Sequence, residues 1–277
     1  MKTRLSLLSL LLTSCIQVPT LLERNSHTQE ITAKASWAQE SIVTDTFILR
    51  AYVPKASIRP PTKSLGLTIY IEGDGLAWLN SSTPSSNPTP IYPLALKLAM
   101  KDAGPSAYLA RPCQFIDLEE QKNCTHKYWT SHRFSEEVIY AIDQAIDQLK
   151  LRFGAKQLTL VGYSGGGAVA ALVSVRRNDV EWLITIAGNL DHKAWSTEHH
   201  LTPLTGSLNP ADAWRQLENI PQTHFVGGKD AIVGEPIARA YASNFKSGEL
   251  PIIKVIPDFD HRCCWEDRWP ALKDDGF

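Results

Sequence analysis

The stretch 158–170, with the sequence LTLVGYSGGGAVA, constrains the fold of this chain more than any other part of it. Its first four residues are apolar or β-branched, which predicts a strand of a covered sheet. Small apolar residues after Gly166 favour a helix, and between the two lies the pattern G-x-S-x-G, formed by Gly162, Ser164 and Gly166. A sharp strand-to-helix turn strains the serine backbone, so the flanking positions must lack side chains to avoid collisions. The pattern therefore predicts a strand, a turn and a helix, with the Ser164 hydroxyl projecting above the sheet edge.

Strand and helix patterns alternate along the rest of the chain. Apolar runs rich in β-branched residues predict strands, and apolar residues spaced three and four apart predict helices. Such alternation is typical of an α/β fold with a mainly parallel central sheet and helices on both faces. The predicted strands are 46–54, 67–71, 106–110, 158–161, 182–188, 222–226 and 252–256, and the predicted helices after residue 90 are 93–103, 136–149, 210–217 and 235–245.

Charge and composition exclude several classes of function. The net charge is −1 and no basic block occurs, so no nucleic-acid partner is expected. Glu198, His199 and His200 lack a second ligand cluster, so neither a metal nor another cofactor is predicted.

No linker rich in proline, glycine or serine divides 41–277, which predicts a single domain there.

The N-terminus resembles the signal peptide of a bacterial lipoprotein. Lys2 and Arg4 precede the apolar run 5–12, which is too short to cross a bilayer but suits a secretory signal. Small polar residues then lead to Cys15, a pattern similar to the lipobox, in which the cysteine is lipidated and becomes the mature N-terminus. An ordinary signal peptide with an incidental cysteine is the alternative.

This resemblance implies a signal peptide over 1–14, lipidation of Cys15 and attachment to a membrane of the bacterial cell envelope. Ile16 stands where an aspartate would favour the inner membrane, so the outer membrane is favoured if the source has two. Residues 15–40 are polar and weakly patterned, which predicts a tether between the lipid anchor and the domain at 41–277.

Export would permit disulfides among the four cysteines that follow Cys15. Cys113 and Cys124 flank a polar loop and are predicted to close it. Cys263 and Cys264 are adjacent, which allows a vicinal bridge. A crossed arrangement, in which one of this pair bonds to Cys113 or Cys124, is the alternative.

Three predicted strands are each followed by a residue with catalytic chemistry: Ser164, Asp230 and His261. The carboxyl ends of parallel strands meet at one edge of a sheet, so these three residues are expected to lie together. A serine hydroxyl is a weak nucleophile, and histidine suits the removal of its proton because its pKa lies near neutral pH. A buried carboxylate would hold the histidine in the right tautomer.

Over residues 46–272 the chain resembles the α/β-hydrolase superfamily, in which the order along the chain is serine, acid, histidine. The resemblance implies a serine hydrolase that cleaves a small-molecule ester through an acyl-enzyme on Ser164, with His261 as base and Asp230 as acid. A peptidase or acyltransferase on the same scaffold, or a catalytically silent surface-binding protein, is the alternative. The motifs that carry the resemblance are GYSGG at 162–166, GGKD at 227–230 and DH at 260–261.

The same resemblance implies an oxyanion hole, with the backbone N–H of Gly165 as one donor. A predicted strand runs into EGDG, residues 72–75, where many esterases of the superfamily have His-Gly-Gly-Gly. By that alignment the second donor is the N–H of Asp74 or of Gly75. The segment 81–90, rich in serine and proline, is predicted to be a surface loop beside this site.

Acidic residues near the predicted triad have other roles open to them. Asp191 follows another predicted strand and is the alternative acid. Asp258 and Asp260 lie so close to His261 along the chain that they are expected to shape its loop instead.

Four more residues are candidates for the surroundings of the site. Trp78, just after the oxyanion turn, and Asn189, after a strand end, are candidate substrate-binding residues, although Asn189 equally fits a turn. Arg111 and Arg133 flank the proposed disulfide loop and either shape an entrance or brace the loop.

Overall fold

The computed structural model describes residues 18–55, 66–119, 121 and 123–275. Within this part of the chain, the strands form one eight-stranded sheet. The strands are β1 (Trp37–Val43), β2 (Ile48–Pro54), β3 (Gly66–Ile71), β4 (Ser106–Leu109), β5 (Gln157–Tyr163), β6 (Val180–Ile186), β7 (Gln222–Gly227) and β8 (Ile252–Ile256). Their order is β1-β2-β4-β3-β5-β6-β7-β8, and only β2 runs antiparallel to its neighbours. The prediction of a mainly parallel sheet is confirmed.

Helices cover both faces of the sheet, which gives the described chain two hydrophobic cores. Alternate residues of β3 point to opposite faces, so Ile69 lies in one core and Tyr70 in the other. The first core is completed by α3 and α4, and the second by α2 and α8. The helices are α1 (Leu21–Lys34), α2 (Leu94–Lys101), α3 (Glu136–Phe153), α4 (Gly165–Ser174), α5 (His192–Glu198), α6 (Trp214–Leu217), α7 (Glu235–Ala242) and α8 (Trp265–Asp274).

The structure differs from the predicted tether, because residues 21–40 fold as α1 and the start of β1. A capping box begins α1: the Glu23 N–H donates to Thr20 Oγ1 at 3.2 Å, and the Thr20 N–H donates to the Glu23 carboxylate at 2.7 Å. The side chains that α1 buries are polar, namely Arg24, Thr28 and Thr32. Because the buried face of α1 is polar, it has no apolar periodicity, and the helix was not predicted from the sequence.

The predicted surface loop at 81–90 is exposed over 81–83 and at Ser86 but is largely buried in its second half. Residues 81–83 are exposed, whereas Ser85 and 87–90 are buried. Buried partners explain the difference: the Asn87 side chain donates to the Ile116 carbonyl at 3.0 Å, and the Thr89 hydroxyl accepts the Phe115 N–H at 2.6 Å.

Two helix predictions also change. The predicted helix at 210–217 is a 3₁₀ turn, Pro210–Ala213, followed by the short α6. The helix α8 was not predicted, although its buried residues Trp265, Trp269 and Leu272 have helical spacing. Pro270 inside this helix obscured the pattern.

The structure joins the cysteines locally. Cys113 and Cys124 are disulfide-bonded with their Cα atoms 5.5 Å apart, and Cys263 is bonded to Cys264. This is the arrangement that the sequence favoured over a crossed pairing.

The predicted signal peptide at 1–14 and the predicted lipidation site Cys15 lie outside the described residues. In the ranges that are described, no helix combines the length and apolar character needed to cross a membrane.

Peptide mapping of the protein under non-reducing conditions should recover Cys113 linked to Cys124. Replacing both residues by serine should lower the free energy of unfolding by about 2–3 kcal/mol. The bridge joins residues 11 positions apart, and closing a loop of that length removes about this much conformational entropy from the unfolded chain. The matched control is the double serine variant of Cys263 and Cys264, whose bridge closes almost no loop. A linked peptide that joins either member of the second pair to Cys113 or Cys124 would contradict the local pairing.

Candidate active site

Ser164 occupies the turn between the end of β5 and the start of α4 in a conformation that few non-glycine residues adopt, with φ +52° and ψ −122°. The turn is possible only because the residues two positions before and two positions after Ser164 are glycines, which have no side chain. A Cβ atom on Gly162 would lie 2.3 Å from the Gly166 carbonyl oxygen, and one on Gly166 would lie 2.3 Å from that of Ile71. The predicted strand, turn and helix are therefore present, and Ser164 stands at the carboxyl end of β5.

The structure brings the side chains of Ser164, His261 and Asp230 into one hydrogen-bonded series. Ser164 Oγ lies 3.1 Å from His261 Nε2, and His261 Nδ1 lies 2.8 Å from Asp230 Oδ2. The Asp230 side chain is fully buried, and its other oxygen accepts the N–H groups of Ile232 and Val233 at 2.8 and 2.9 Å. With Nδ1 donating to the carboxylate, Nε2 is free to accept the serine proton.

Hydrogen bonds hold the loop that carries His261. The Tyr163 hydroxyl donates to the His261 carbonyl at 3.1 Å. Asp260 shapes the loop, as the sequence suggests, because its carboxylate accepts the N–H groups of Arg262 and Cys263 at 2.7 and 2.6 Å. The imidazole is thus fixed from the backbone side as well as by its hydrogen bonds.

The alternative acid Asp191, and Asp258, which the sequence predicted to shape the His261 loop, both have other partners. Asp191 caps α5 by accepting the N–H groups of Lys193 and Ala194 at 3.1 and 3.2 Å. Asp258 forms an exposed ion pair with Lys229 at 3.0 Å. Neither carboxylate has the position beside the histidine that Asp230 holds.

The turn at 72–75 passes directly over the serine. A Cβ atom on Gly73 would lie 3.2 Å from the Ser164 Cβ, and one on Gly165 would lie 2.1 Å from the Asp74 carboxylate. Gly165 is also the first residue of α4, where a backbone N–H has no acceptor within the helix. The turn and the start of the helix therefore both lie beside Ser164.

Two N–H groups of this turn remain available for an oxyanion. The Gly73 N–H donates to the Glu72 carboxylate at 2.9 Å, and the Leu76 N–H donates to a backbone carbonyl at 3.1 Å. Between them, the N–H groups of Asp74 and Gly75 have no acceptor in the part of the chain that the structure describes. These are the two groups that the resemblance nominated as the second donor.

Arg111 and Arg133 clamp the acidic side chain of Asp74. The guanidinium of Arg111 lies 3.4 Å from one carboxylate oxygen and that of Arg133 lies 2.5 Å from the other. Both arginines are buried, and burial lowers the pKa of Arg111 to about 10 although Asp74 opposes the shift. An unpaired carboxylate beside Gly165 would repel a developing oxyanion, so the two arginines neutralise it. They therefore brace the turn at 72–75, a role that the sequence did not predict.

Glu72 is the first residue of the turn and is 1% exposed. Burial raises the pKa of its carboxyl group to about 7, while the Gly73 N–H, the Tyr108 hydroxyl and the first N–H groups of α2 act to lower it. A carboxyl group whose pKa is raised to about 7 therefore holds the turn at 72–75. This role was not predicted, because nothing in the local sequence pattern marks Glu72 as buried.

The two candidate substrate-binding residues lie in different surroundings. Asn189 donates its N–H to the Ser164 carbonyl at 3.0 Å and is 3% exposed, and its side-chain oxygen has no partner among the described residues. Trp78 is 40% exposed and forms a bridge with Pro84 after the oxyanion turn. Asn189 therefore lies beside Ser164, whereas Trp78 has no hydrogen bond or ring contact with Ser164, His261 or Asp230 within the described ranges.

No protein-family model matches this chain, and no curated protein sequence matches it either. Solved structures do match. An esterase from Pyrococcus furiosus is 11% identical with a TM-score of 0.60, covering 88% of this chain and 93% of the other. A putative dienelactone hydrolase from Klebsiella pneumoniae is 17% identical with a TM-score of 0.56, covering 87% and 94%. The esterase domain of a Rhodothermus marinus protein is 14% identical with a TM-score of 0.55, covering 86% and 95%.

These similarities establish the fold over most of the chain. The protein has the α/β-hydrolase fold, as the sequence resemblance implied.

The free energy of unfolding of the wild type should fall, relative to that of a Glu72→Gln variant, as the pH rises from about 4.5 to about 7. In this window the folded state keeps a proton that the unfolded carboxyl group, with its ordinary pKa of 4.5, has already released. Deprotonation therefore favours unfolding, by on the order of 3 kcal/mol across the window.

Urea unfolding at half-unit pH steps measures this difference, with the exposed Glu249→Gln as the matched control. The Glu249→Gln curve should follow that of the wild type. Wild-type and Glu72→Gln curves that run parallel from pH 4.5 to pH 7 would show that the Glu72 pKa is not raised.

Proposed function

We propose that this protein is a serine hydrolase that cleaves a carboxylic ester of a small molecule through Ser164, His261 and Asp230. The observation that carries the proposal is the hydrogen-bonded series from Ser164 Oγ through His261 to the buried Asp230 carboxylate, at 3.1 and 2.8 Å. Its position above the carboxyl ends of β5, β7 and β8 is the usual location of active sites in such sheets. The fold shared with esterases and a putative hydrolase adds support.

The geometry suits acyl transfer in two steps. Ser164 Oγ attacks the carbonyl carbon as His261 Nε2 takes the hydroxyl proton, and the ester C–O bond breaks as that proton passes to the departing alcohol. Water then attacks the acyl-enzyme, His261 removes its proton, and Ser164 is regenerated when that proton returns to Oγ. In both steps Asp230 stabilises the imidazolium and holds its orientation.

The oxyanion formed in each step would be stabilised by the N–H of Gly165 and by that of Asp74 or Gly75. One such donor contributes about 3 kcal/mol to transition-state stabilisation. The Asp74 carboxylate opposes this effect unless it is paired, and its ion pairs with Arg111 and Arg133 remove that penalty. The acidic turn is therefore compatible with catalysis.

Substitutions at the triad should separate hydrolysis from the alternative functions. Ser164→Ala and His261→Ala should each lower kcat/KM for ester hydrolysis by about 10⁴-fold or more, and Asp230→Asn by about 10³- to 10⁴-fold, because the histidine then loses its correct tautomer. The matched control is Asp191→Asn, which should stay within about threefold of wild type. Rates are measured on a panel of acyl esters of graded chain length together with the corresponding amides.

Labelling by a fluorophosphonate probe tests whether Ser164 is activated at all. Wild type that labels no faster than Ser164→Ala would favour a catalytically silent binding protein. Turnover of amides in preference to esters would favour a peptidase, and transfer of the acyl group to an added alcohol in preference to water would favour an acyltransferase. Loss of activity in Asp191→Asn with normal activity in Asp230→Asn would move the acid role to Asp191.

We also propose that the protein is exported and anchored to a membrane of the bacterial cell envelope through a lipid on Cys15. The support is the sequence pattern alone: basic residues, a short apolar run over 5–12 and a lipobox-like segment ending in cysteine. Two or more acyl chains would anchor the protein stably, whereas one would bind reversibly.

Metabolic labelling with a fatty-acid analogue should tag the wild type and spare Cys15→Ser. The wild type should fractionate with membranes, and the variant should be released or retained unprocessed. Untagged wild type in the soluble exported fraction would leave simple secretion as the explanation.

A further inference from the structure

The N-terminal helix α1 sends one buried guanidinium group to the segment 85–89, which lies next to the oxyanion turn. Arg24 is 5% exposed, and its Nη1 donates to the carbonyl of Asn87 at 3.2 Å and to the carbonyl of Thr89. Its Nε lies 3.4 Å from the Thr20 carbonyl at the start of the helix. Hydrogen bonds from a charged donor are about twice as strong as neutral ones, so this contact fixes the two carbonyls firmly.

Pro88 lies between Asn87 and Thr89 in the chain and contacts the oxyanion turn. The Pro88 carbonyl accepts the Leu76 N–H at 3.1 Å. Gly75, with φ +64°, lies so near that a Cβ atom there would be 2.0 Å from the Pro88 oxygen. A shift of Pro88 would therefore change the direction of the neighbouring N–H groups of Asp74 and Gly75.

The opposite side of the segment 85–89 contacts the chain just after Cys113. Asn87 donates to the Ile116 carbonyl at 3.0 Å, and Thr89 accepts the Phe115 N–H at 2.6 Å. The segment is thus held between α1 and the disulfide loop. Removing only the α1 contact should loosen the segment without releasing it, because the contacts to Phe115 and Ile116 remain.

We propose that Arg24 is a positioning residue for the oxyanion hole. It acts through Pro88 to keep the N–H groups of Asp74 and Gly75 directed at the carbonyl oxygen of a bound ester. This inference rests on the proposed hydrolase function for its catalytic consequence. On this proposal α1, which lies in a region that the sequence predicts to be a tether, helps to position the oxyanion hole.

The test compares Arg24→Gln and Arg24→Lys with Lys34→Gln as a matched control. Lys34 lies on the same helix, and among the described residues its side chain forms only an exposed ion pair with Glu30. The kcat per titrated active site should fall roughly 10- to 100-fold in Arg24→Gln with KM within about threefold, because small misplacements of catalytic groups have effects of this size. Arg24→Lys keeps a charged donor and should recover kcat to within about fivefold of wild type.

Counting active sites by fluorophosphonate titration separates positioning from folding. If Arg24 served stability alone, fewer sites would titrate but each would turn over at the wild-type rate, which would overturn the proposal. A kcat for Arg24→Gln equal to that of Lys34→Gln would overturn it as well.

Hydrogen exchange gives a readout that does not depend on activity. The Leu76 amide, bonded to Pro88, should exchange at least about 10-fold faster in Arg24→Gln than in the wild type, while the amides of β5 keep their rates. Unchanged exchange at Leu76 would overturn the positioning role even if activity fell. A wild type that hydrolyses no ester would reject the proposed function, and the exchange result would still decide whether Arg24 holds the turn.

Discussion

The close approach of three backbone segments at the end of β5 is the constraint on which the rest of the structure depends. Gly162 and Gly166 allow the chain to reverse so tightly that a methyl group on Gly166 would collide with the carbonyl of Ile71. The collision distance shows that α4 starts in direct contact with the end of β3, so that the turn at 72–75 comes next to Ser164. Any side chain at either glycine would push these segments apart and separate the serine from the groups arranged around it.

A buried polar network surrounds this contact and is the less expected part of the molecule. Asp74 lies beside Gly165 and is paired with Arg111 and Arg133, while the Glu72 carboxylate accepts the Gly73 N–H of the same turn. Arg24 reaches the neighbouring segment from α1. Buried charges are costly unless they are paired and hydrogen-bonded, so each holds its neighbours in a narrow range of positions. The turn at 72–75 is acidic, and the paired arginines make an acidic side chain tolerable beside Ser164.

Much of the fold was predictable because the signals for it are local. The strands from β2 to β8 and the helix α3 follow from apolar spacing, and the turn at Ser164 follows from its glycines. Ser164, Asp230 and His261 were selected because each follows a predicted strand, and the structure brings their side chains together. Their catalytic roles, the oxyanion donors and the lipid anchor stay predictions. The misses have a common cause: α1 buries polar residues, Pro270 hides the spacing of α8, and the burial of 87–90 depends on partners elsewhere in the chain.

By itself the sequence determined the α/β class, the sharp turn at Ser164 and the placement of each candidate catalytic residue just after a strand. These depend on periodicity and on glycines, which act within a few residues of chain. Only the tertiary structure decided that Asp230 rather than Asp191 meets His261, that Arg111 and Arg133 pair with Asp74, and that Arg24 holds the segment beside the oxyanion turn. Those contacts join residues 31 to 65 positions apart. A polar side chain carries no local sign of its partner, because its burial becomes favourable only when the fold supplies one.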